Sequence, residues 1–403
     1  MSSTTRFKLS TMMFLQYFVW GAWSVPLGTY LGEILAFQGQ QIGFVFGTTA
    51  VAAMISPFFV GMVADRYVST EKMLALLHVV GGCILFLAST LTEFVEFYST
   101  LLLYALCYMP TLALSNSLSF RQMAEPAREF PAIRVLGTIG WIVAGLAVGF
   151  LRLEDTAIPM QIAAAVSFVL GIYCLFLPHT PPSQAKGRVT VRDVLGLDAL
   201  QLLREPAFAI FTIGSLLVCV PLQFYYAFAN PFLNEIGVTN AAGKMTLGQV
   251  SEIGFMLALP FFFRRLGIKG MLLVAIAAWV SRYLLFAWGD NGSLVWMLYG
   301  GILLHGICYD FFFVAGQVYV DHKAPPDLRA SAQGLIAFVT LGVGMFIGSW
   351  LSGLVVDLYV QEAGHAWNRI WTVPALWAIA VMAVFALFFR DRERVDDEDC
   401  STS

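Results

Sequence analysis

Residues 9–31 read LSTMMFLQYFVWGAWSVPLGTYL, twenty-three residues without one Asp, Glu, Lys or Arg. A helix that crosses the hydrocarbon core of a bilayer needs about 20 predominantly apolar residues, so this stretch reads as a membrane span. Arg6 and Lys8 precede it, as in the charged start of a signal peptide. The run is longer than a signal core and lacks an A-x-A site, so it reads as a retained first helix.

Working outward, the pattern repeats along the chain. Twelve apolar runs lie between polar breaks, at 9–32, 40–63, 72–91, 97–118, 132–151, 159–178, 207–235, 247–263, 270–288, 293–319, 329–356 and 367–389. The composition agrees: 59% of the 403 residues are hydrophobic, 12% are charged, and mean hydropathy is +0.76. Soluble domains carry about 25% charged residues, and a chain this poor in charge could not cover its surface in water. An all-α membrane protein is the class that remains. The net charge of −3, with no basic block, argues against a nucleic-acid partner.

The longest polar break, 179–206, divides the chain into an N-terminal six-helix bundle (1–178), a central cytoplasmic loop (179–206), a C-terminal six-helix bundle (207–389) and a charged cytoplasmic tail (390–403). With the N-terminus inside, eighteen of the 23 Lys and Arg fall on the cytoplasmic side, against Arg152, Lys244 and Arg369 outside. This is the positive-inside bias, and it places both termini in the cytoplasm.

Short echoes relate the halves. Pro57-Phe58-Phe59 is followed by Asp65-Arg66, and Pro260-Phe261-Phe262 by Arg264-Arg265. Arg134-x-x-Gly137 opens one span, and Arg329 with Gly334 another. Twelve helices, a long central loop and a parallel repeat resemble the major facilitator superfamily. Gly61-x-x-x-Asp65-Arg66 is similar to part of that superfamily's loop motif, although Tyr67-Val68-Ser69 replaces its glycine and basic run. The resemblance implies two pseudo-symmetric six-helix bundles, with Asp65 and Arg66 as gating or structural groups.

Ionisable side chains at membrane depth are costly, so each needs a partner or a task. Arg134, Glu252, Arg282 and Asp310 are the candidates. Glu252 shares a helical face with Gln249, three residues earlier. A carboxyl group withdrawn from water is costly to ionise and so can carry a proton; it can also accept hydrogen bonds from a ribose. Arg134, Thr138 and Trp141 align at i, i+4 and i+7, offering a cation, a hydroxyl and a flat ring on one face. Arg134 could instead snorkel to the cytoplasmic interface.

Gln223 and Tyr226 could read and stack on a nucleobase. Asp310 either pairs with Arg282 or joins a proton path. Gln16 and Trp20 lie deep enough in the first span to line a cavity. Of the five histidines only His305 lies at depth, and it reads as a packing residue with its hydrogen bonds met.

The six cysteines form no C-x-x-C pair and the histidines no metal spacing, so neither a metal nor a cofactor is expected. There is no P-loop, G-x-S-x-G or H-E-x-x-H, the chemistry of pumps and hydrolases, so the chain is not expected to be an enzyme.

Motifs in a consistent order resemble the nucleoside:H+ symporter family of the major facilitator superfamily. They are Phe14-Leu15-Gln16-Tyr17, Trp20-Gly21-x-Trp23, Tyr108-Met109-Pro110-Thr111, Ile133-Arg134-x-x-Gly137-Thr138-Ile139-Gly140, Leu195-Gly196-Leu197-Asp198-Ala199, Gln249-x-Ser251-Glu252, Tyr309-Asp310-Phe311-Phe312 and Arg329-Ala330-Ser331-Ala332-Gln333-Gly334. The resemblance implies proton-coupled nucleoside uptake across the inner membrane by alternating access, with Arg134, Thr138, Gln223, Gln249 and Glu252 binding substrate. Trp141 stands where the family has phenylalanine, and Tyr226 replaces an asparagine. Glu252 is the expected coupling group, with Asp310 beside it. Nucleoside, protons and the lipid bilayer are the implied partners of a monomer. A sugar or polyol carrier, an exporter and a membrane sensor are the alternatives.

Overall fold

The computed structural model describes residues 1–64, 68–182, 197–326 and 328–390. Asp65 and Arg66, the expected gating pair, lie outside the described residues.

The chain is a succession of long helices: α1 (Ser3–Ser24), α2 (Gly39–Ala64), α3 (Thr70–Ala88), α4 (Phe94–Arg121), α5 (Pro126–Phe150), α6 (Ile158–Cys174), α7 (Pro206–Glu235), α8 (Ala241–Trp288), α9 (Val295–Lys323), α10 (Ser331–Leu358) and α11 (Trp367–Phe388). Among the described residues, eight helices are long and apolar enough to cross a membrane. Lipid offers the backbone no hydrogen bonds, and helices satisfy their own.

At 48 residues, α8 would run about 72 Å if straight, far beyond the roughly 30 Å of a hydrocarbon core. Gly267 breaks it, with φ 61° and ψ 176°. Only glycine adopts such a backbone without strain. Arg264, Arg265 and Lys269 flank the break, which leaves two arms of spanning length. A short hairpin of β1 (Val360–Gln361) and β2 (Gly364–His365) joins α10 to α11.

Two bundles form. In the first, α1 packs on α5 and α6, α2 on α4, and α3 on α4 and α6; in the second, α8 packs on α9 and α11, and α7 on α10 and α11. The bundles meet where α2 lies on α10, α5 on α8, and the turn Leu27–Thr29 on α7. Close approach explains several glycines. A Cβ on Gly43 would strike the Ser349 carbonyl oxygen, and one on Gly28 the Ala227 carbonyl oxygen. Such small-residue seams let helices pack closely where lipid supplies no hydrophobic drive.

Between described residues, every hydrogen bond joining the bundles lies at one end, here called the latched end. Asp357 at the end of α10 accepts from the backbone N–H of Gly39 (2.6 Å) and Gln40 (2.8 Å), at the start of α2. Glu154, just after α5, accepts from the N–H of Ala242 (3.0 Å), at the start of α8. Each bundle thus sets a carboxylate on a helix N-terminus of the other, where unpaired N–H groups and the helix dipole favour an anion. Glu154 Oε2 also accepts from Asn230 (2.7 Å) and Asn234 (3.0 Å), and Thr29 Oγ1 donates to Asn230 Oδ1 (2.6 Å).

Candidate functional site: a buried carboxylate between two bundles

Four helices build the centre of the molecule: α1 and α5 from the first bundle, α8 and α9 from the second. The seam between α1 and α5 depends on glycine. A Cβ on Gly137 would lie 2.6 Å from the Tyr17 ring and 2.9 Å from the Arg134 guanidinium, and one on Gly140 would strike the Phe14 backbone oxygen. With both positions bare, Arg134 lies 4.0 Å over the centre of the Tyr17 ring, within cation–π range. Arg134 is eight residues into α5, a rise of about 12 Å. It turns onto Tyr17 rather than reaching back to the interface.

Trp20 extends this surface. Its ring meets Trp141 edge-on at 5.5 Å and Tyr108 at 5.9 Å, and Tyr17 lies 6.4 Å away. Tyr17, Trp20, Arg134, Thr138 and Trp141 are all half-buried. A flat-ringed solute would find stacking faces and a cation together here.

Gln16 does not belong to that surface. It is 0% exposed. Its Nε2 donates to Thr111 Oγ1 (2.7 Å), and its Oε1 lies 2.8 Å from His78 Nε2. His78 Nδ1 in turn lies 3.2 Å from Ser167 Oγ. The expectation that Gln16 lines a cavity is corrected: both ends of its amide are used inside the first bundle.

On the other side, α8 and α9 interlock. A Cβ on Gly306 would sit 2.6 Å from the Ser251 backbone and 2.7 Å from the Glu252 nitrogen, and one on Gly248 would sit 3.1 Å from the His305 Cβ. Ser251 Oγ donates to the Leu303 carbonyl (2.5 Å). Glu252 is eleven residues past the start of α8, about 16 Å along its axis, near the middle of the arm that ends at Gly267. Its side chain is 16% exposed, and Oε2 lies 3.8 Å from His305 Nε2. Arg134 of the opposite bundle acts on the Glu252 carboxylate electrostatically, as Glu252 does on Tyr17, Tyr226 and Tyr309.

The remaining candidates divide. Tyr226 is half-buried, with its ring edge-on to His305 at 6.5 Å. Gln249 is half-buried one turn before Glu252. Gln223 is 4% exposed; its Nε2 contacts the Met345 sulfur at 2.8 Å, and its Oε1 has no partner among the described residues. Asp310 is 0% exposed and opens a π-helical turn, Asp310–Val314, a feature frequent at functional sites. Both of its carboxylate oxygens lack partners among the described residues.

The expected Arg282–Asp310 pair does not form. Arg282 instead donates through Nε to the Gly301 carbonyl (3.1 Å) and lies 4.2 Å over the Tyr225 ring. An aromatic face holds the cation, so the acid is left to other work.

Sequence reasoning passed over Tyr17 and Tyr309, and it read His305 as a packing residue with its hydrogen bonds met, alone at depth; that reading is corrected, since His305 Nδ1 has no partner among the described residues and His78 is buried as well. For two of these a signal existed: His305 and Tyr309 stand at i and i+4 on one face of α9, with rings 6.1 Å apart.

A family model described as nucleoside H+ symporter matches residues 3–394. The chain belongs to the nucleoside H+ symporter family. Its relatives in Escherichia coli (strain K12) match end to end. YegT is 44% identical over 98% of this chain and 97% of its own length. Xanthosine permease is 36% identical over 95% of each, and nucleoside permease NupG 34% over 96% of each. The crystal structure of nucleoside transporter NupG superposes with a TM-score of 0.89 at 33% identity, covering 96% of this chain and all of that one. The fold is that of the major facilitator superfamily, and this family member is a multi-pass membrane transporter rather than an enzyme.

Proposed function

We propose that this family member imports nucleosides across the inner membrane, drawn by protons that Glu252 carries. The observation that carries the reading is the enclosure of Glu252. Away from the latched end, its carboxyl stands between the bundles, beside His305 and in the field of Arg134 from across the interface. A group so placed can report its charge to both bundles at once.

The steps follow from the geometry. A protonated, neutral Glu252 removes the cost of a buried charge and leaves a hydroxyl donor and a carbonyl acceptor for ribose hydroxyls. Tyr17, Trp20, Trp141 and Tyr226 offer rings to the base. Arg134, Thr138, Gln223 and Gln249 supply polar edges, and Asp310 extends the proton path. The bundles then rock about the bound solute. We take twelve spans, counting both arms of α8, with both termini cytoplasmic, and one chain as the working unit in the lipid bilayer. The latched end then faces outside, and the arrangement is the one that releases substrate inward. Asp65 and Arg66, outside the described residues, keep the gating role that the loop motif implies. A sugar, the alternative cargo, would use the same carboxylate, amide and aromatic groups, so competition decides between the two.

Uptake of labelled uridine into transport-deficient cells tests this. Accumulation should require the chain, collapse with a protonophore, and be competed by nucleosides rather than hexoses. Glu252→Gln should abolish accumulation against a gradient. Parent-like accumulation by that variant would remove Glu252 as the carrier.

A further inference from the structure

His305 contrasts with the other deeply buried histidine. Both ring nitrogens of His78 have polar neighbours within hydrogen-bond distance, at 2.8 and 3.2 Å. That is how a packing histidine is satisfied in this chain. His305 is equally enclosed, with a side chain 4% exposed. Yet its Nδ1 has no partner among the described residues, and its Nε2 faces only Glu252 Oε2, at 3.8 Å.

The ring is held in a fixed attitude. Tyr225 stacks on it at 5.3 Å and 23°, Tyr309 at 6.1 Å and 27°, and Tyr226 meets it edge-on at 6.5 Å. Gly248 and Gly306 bring the α8 and α9 backbones together beneath it. Three rings and a glycine seam thus aim one imidazole nitrogen at one carboxyl group. The ionisable groups around it are Glu252 and Arg282 from α8, Tyr225 and Tyr226 from α7, and Tyr309 and Asp310 from its own helix. Arg134 and Tyr17 of the opposite bundle act on Glu252.

We propose that His305 is a positioning residue for the coupling carboxylate, its Nε2 engaging Glu252 during proton exchange and setting the pH range of uptake. This rests on the reading of Glu252 as the proton carrier. A neutral imidazole can donate from one nitrogen and accept at the other. It therefore suits both states of its neighbour: Nε2–H donates to the carboxylate, and the other tautomer accepts from the carboxylic acid. Reaching hydrogen-bond distance from 3.8 Å takes a shift of roughly 1 Å. Such a shift is small beside the rocking that alternating access requires.

The test uses the full chain in proteoliposomes. Initial uridine uptake is measured against pH for the parent, His305→Phe, His305→Gln and His305→Asn, each divided by its own rate of uridine counterflow, which needs no net proton movement. The Gln amide reaches the position of Nε2, and the Asn amide that of Nδ1. The pH midpoint should move by about one unit in His305→Phe and His305→Asn, a tenfold change in proton affinity, and return towards the parent in His305→Gln. Equal midpoints in all four proteins would overturn the proposal. So would equal displacement in the Gln and Asn variants, which decides the matter even if His305→Phe does not fold. Glu252→Gln is run alongside. If it accumulates uridine like the parent, the carrier reading falls; if it does not, and the His305 midpoints are unmoved, only the positioning role falls.

Discussion

Asn230 and Glu154 belong to opposite bundles, and their side chains meet at 2.7 Å. The same carboxylate oxygen takes Asn234 and the Ala242 N–H, so one acid ties a loop of the first bundle to two helices of the second. A hydrogen bond to a charged group contributes about 1.5–3 kcal/mol. Glu154→Ala should therefore shift the balance away from the outer-closed form roughly tenfold or more. A cysteine replacing Thr246, which is 5% exposed and packed beneath Gly145, should then label faster with a maleimide applied from outside. Unchanged labelling would refute the latch.

The contact of Arg134 with Tyr17 makes a second prediction. A cation–π contact contributes about 0.5–2 kcal/mol, so Tyr17→Ala should raise the half-saturating uridine concentration by roughly 2- to 30-fold. Tyr17→Phe keeps the ring and should stay near the parent. Equal behaviour of the two variants in an uptake assay would deny the contact a role.

Glycine provides the third. Gly306→Ala would press a methyl against the Ser251–Glu252 backbone, whereas nothing lies within 4 Å of a Cβ on Gly254. Overpacking costs typically about 1–3 kcal/mol, and here it would separate the helices that pair His305 with Glu252. Gly306→Ala should lose most uptake at normal membrane abundance, and Gly254→Ala should keep it. Uptake and immunoblotting of the same membranes check both.

Glu33 follows α1, beyond the predicted span. Although Glu33 is exposed, partial withdrawal from water first, then the negative charges of Asp155, Glu235 and Glu154, hold its carboxyl above the ordinary value of 4.5. The folded latched end thus binds this proton more tightly than the unfolded chain does. Its contribution favours the fold below about 4.5 and is lost as pH rises through the raised value. Thermal unfolding in detergent should find Glu33→Gln equal to the parent in acid and more stable at neutral pH. A constant difference across the range would contradict the sign.

The membrane class was legible because lipid imposes a length and a polarity on every span; the described helices overlap the apolar runs, two of which, 247–263 and 270–288, lie on the single helix α8. Helix starts were less so. α5 opens at Pro126 and α8 at Ala241, ahead of the predicted 132 and 247, because charged residues (Arg128 and Glu129, Lys244) interrupt the hydropathy signal of their first turns. The shared face of Arg134, Thr138 and Trp141 could be read from helical spacing alone. Gln16 could not be placed, since an amide facing a neighbouring helix and one facing a cavity have the same sequence pattern. An Arg282–Asp310 pair was one of two readings because the opposite charge is the obvious neutraliser, and a tyrosine face took that place. The approach of His305 to Glu252 depends on glycines in two helices, and no single-helix pattern contains it.

The chain of contacts from Thr111 through Gln16 and His78 to Ser167 rivets four helices, α4, α1, α3 and α6, through their interiors. Shear inside that half would strand an amide or an imidazole in a dry core, so the half resists deformation and moves as one lever. Pulled from the membrane by its N-terminus, it should yield in a single large step rather than helix by helix, and His78→Leu should divide that step.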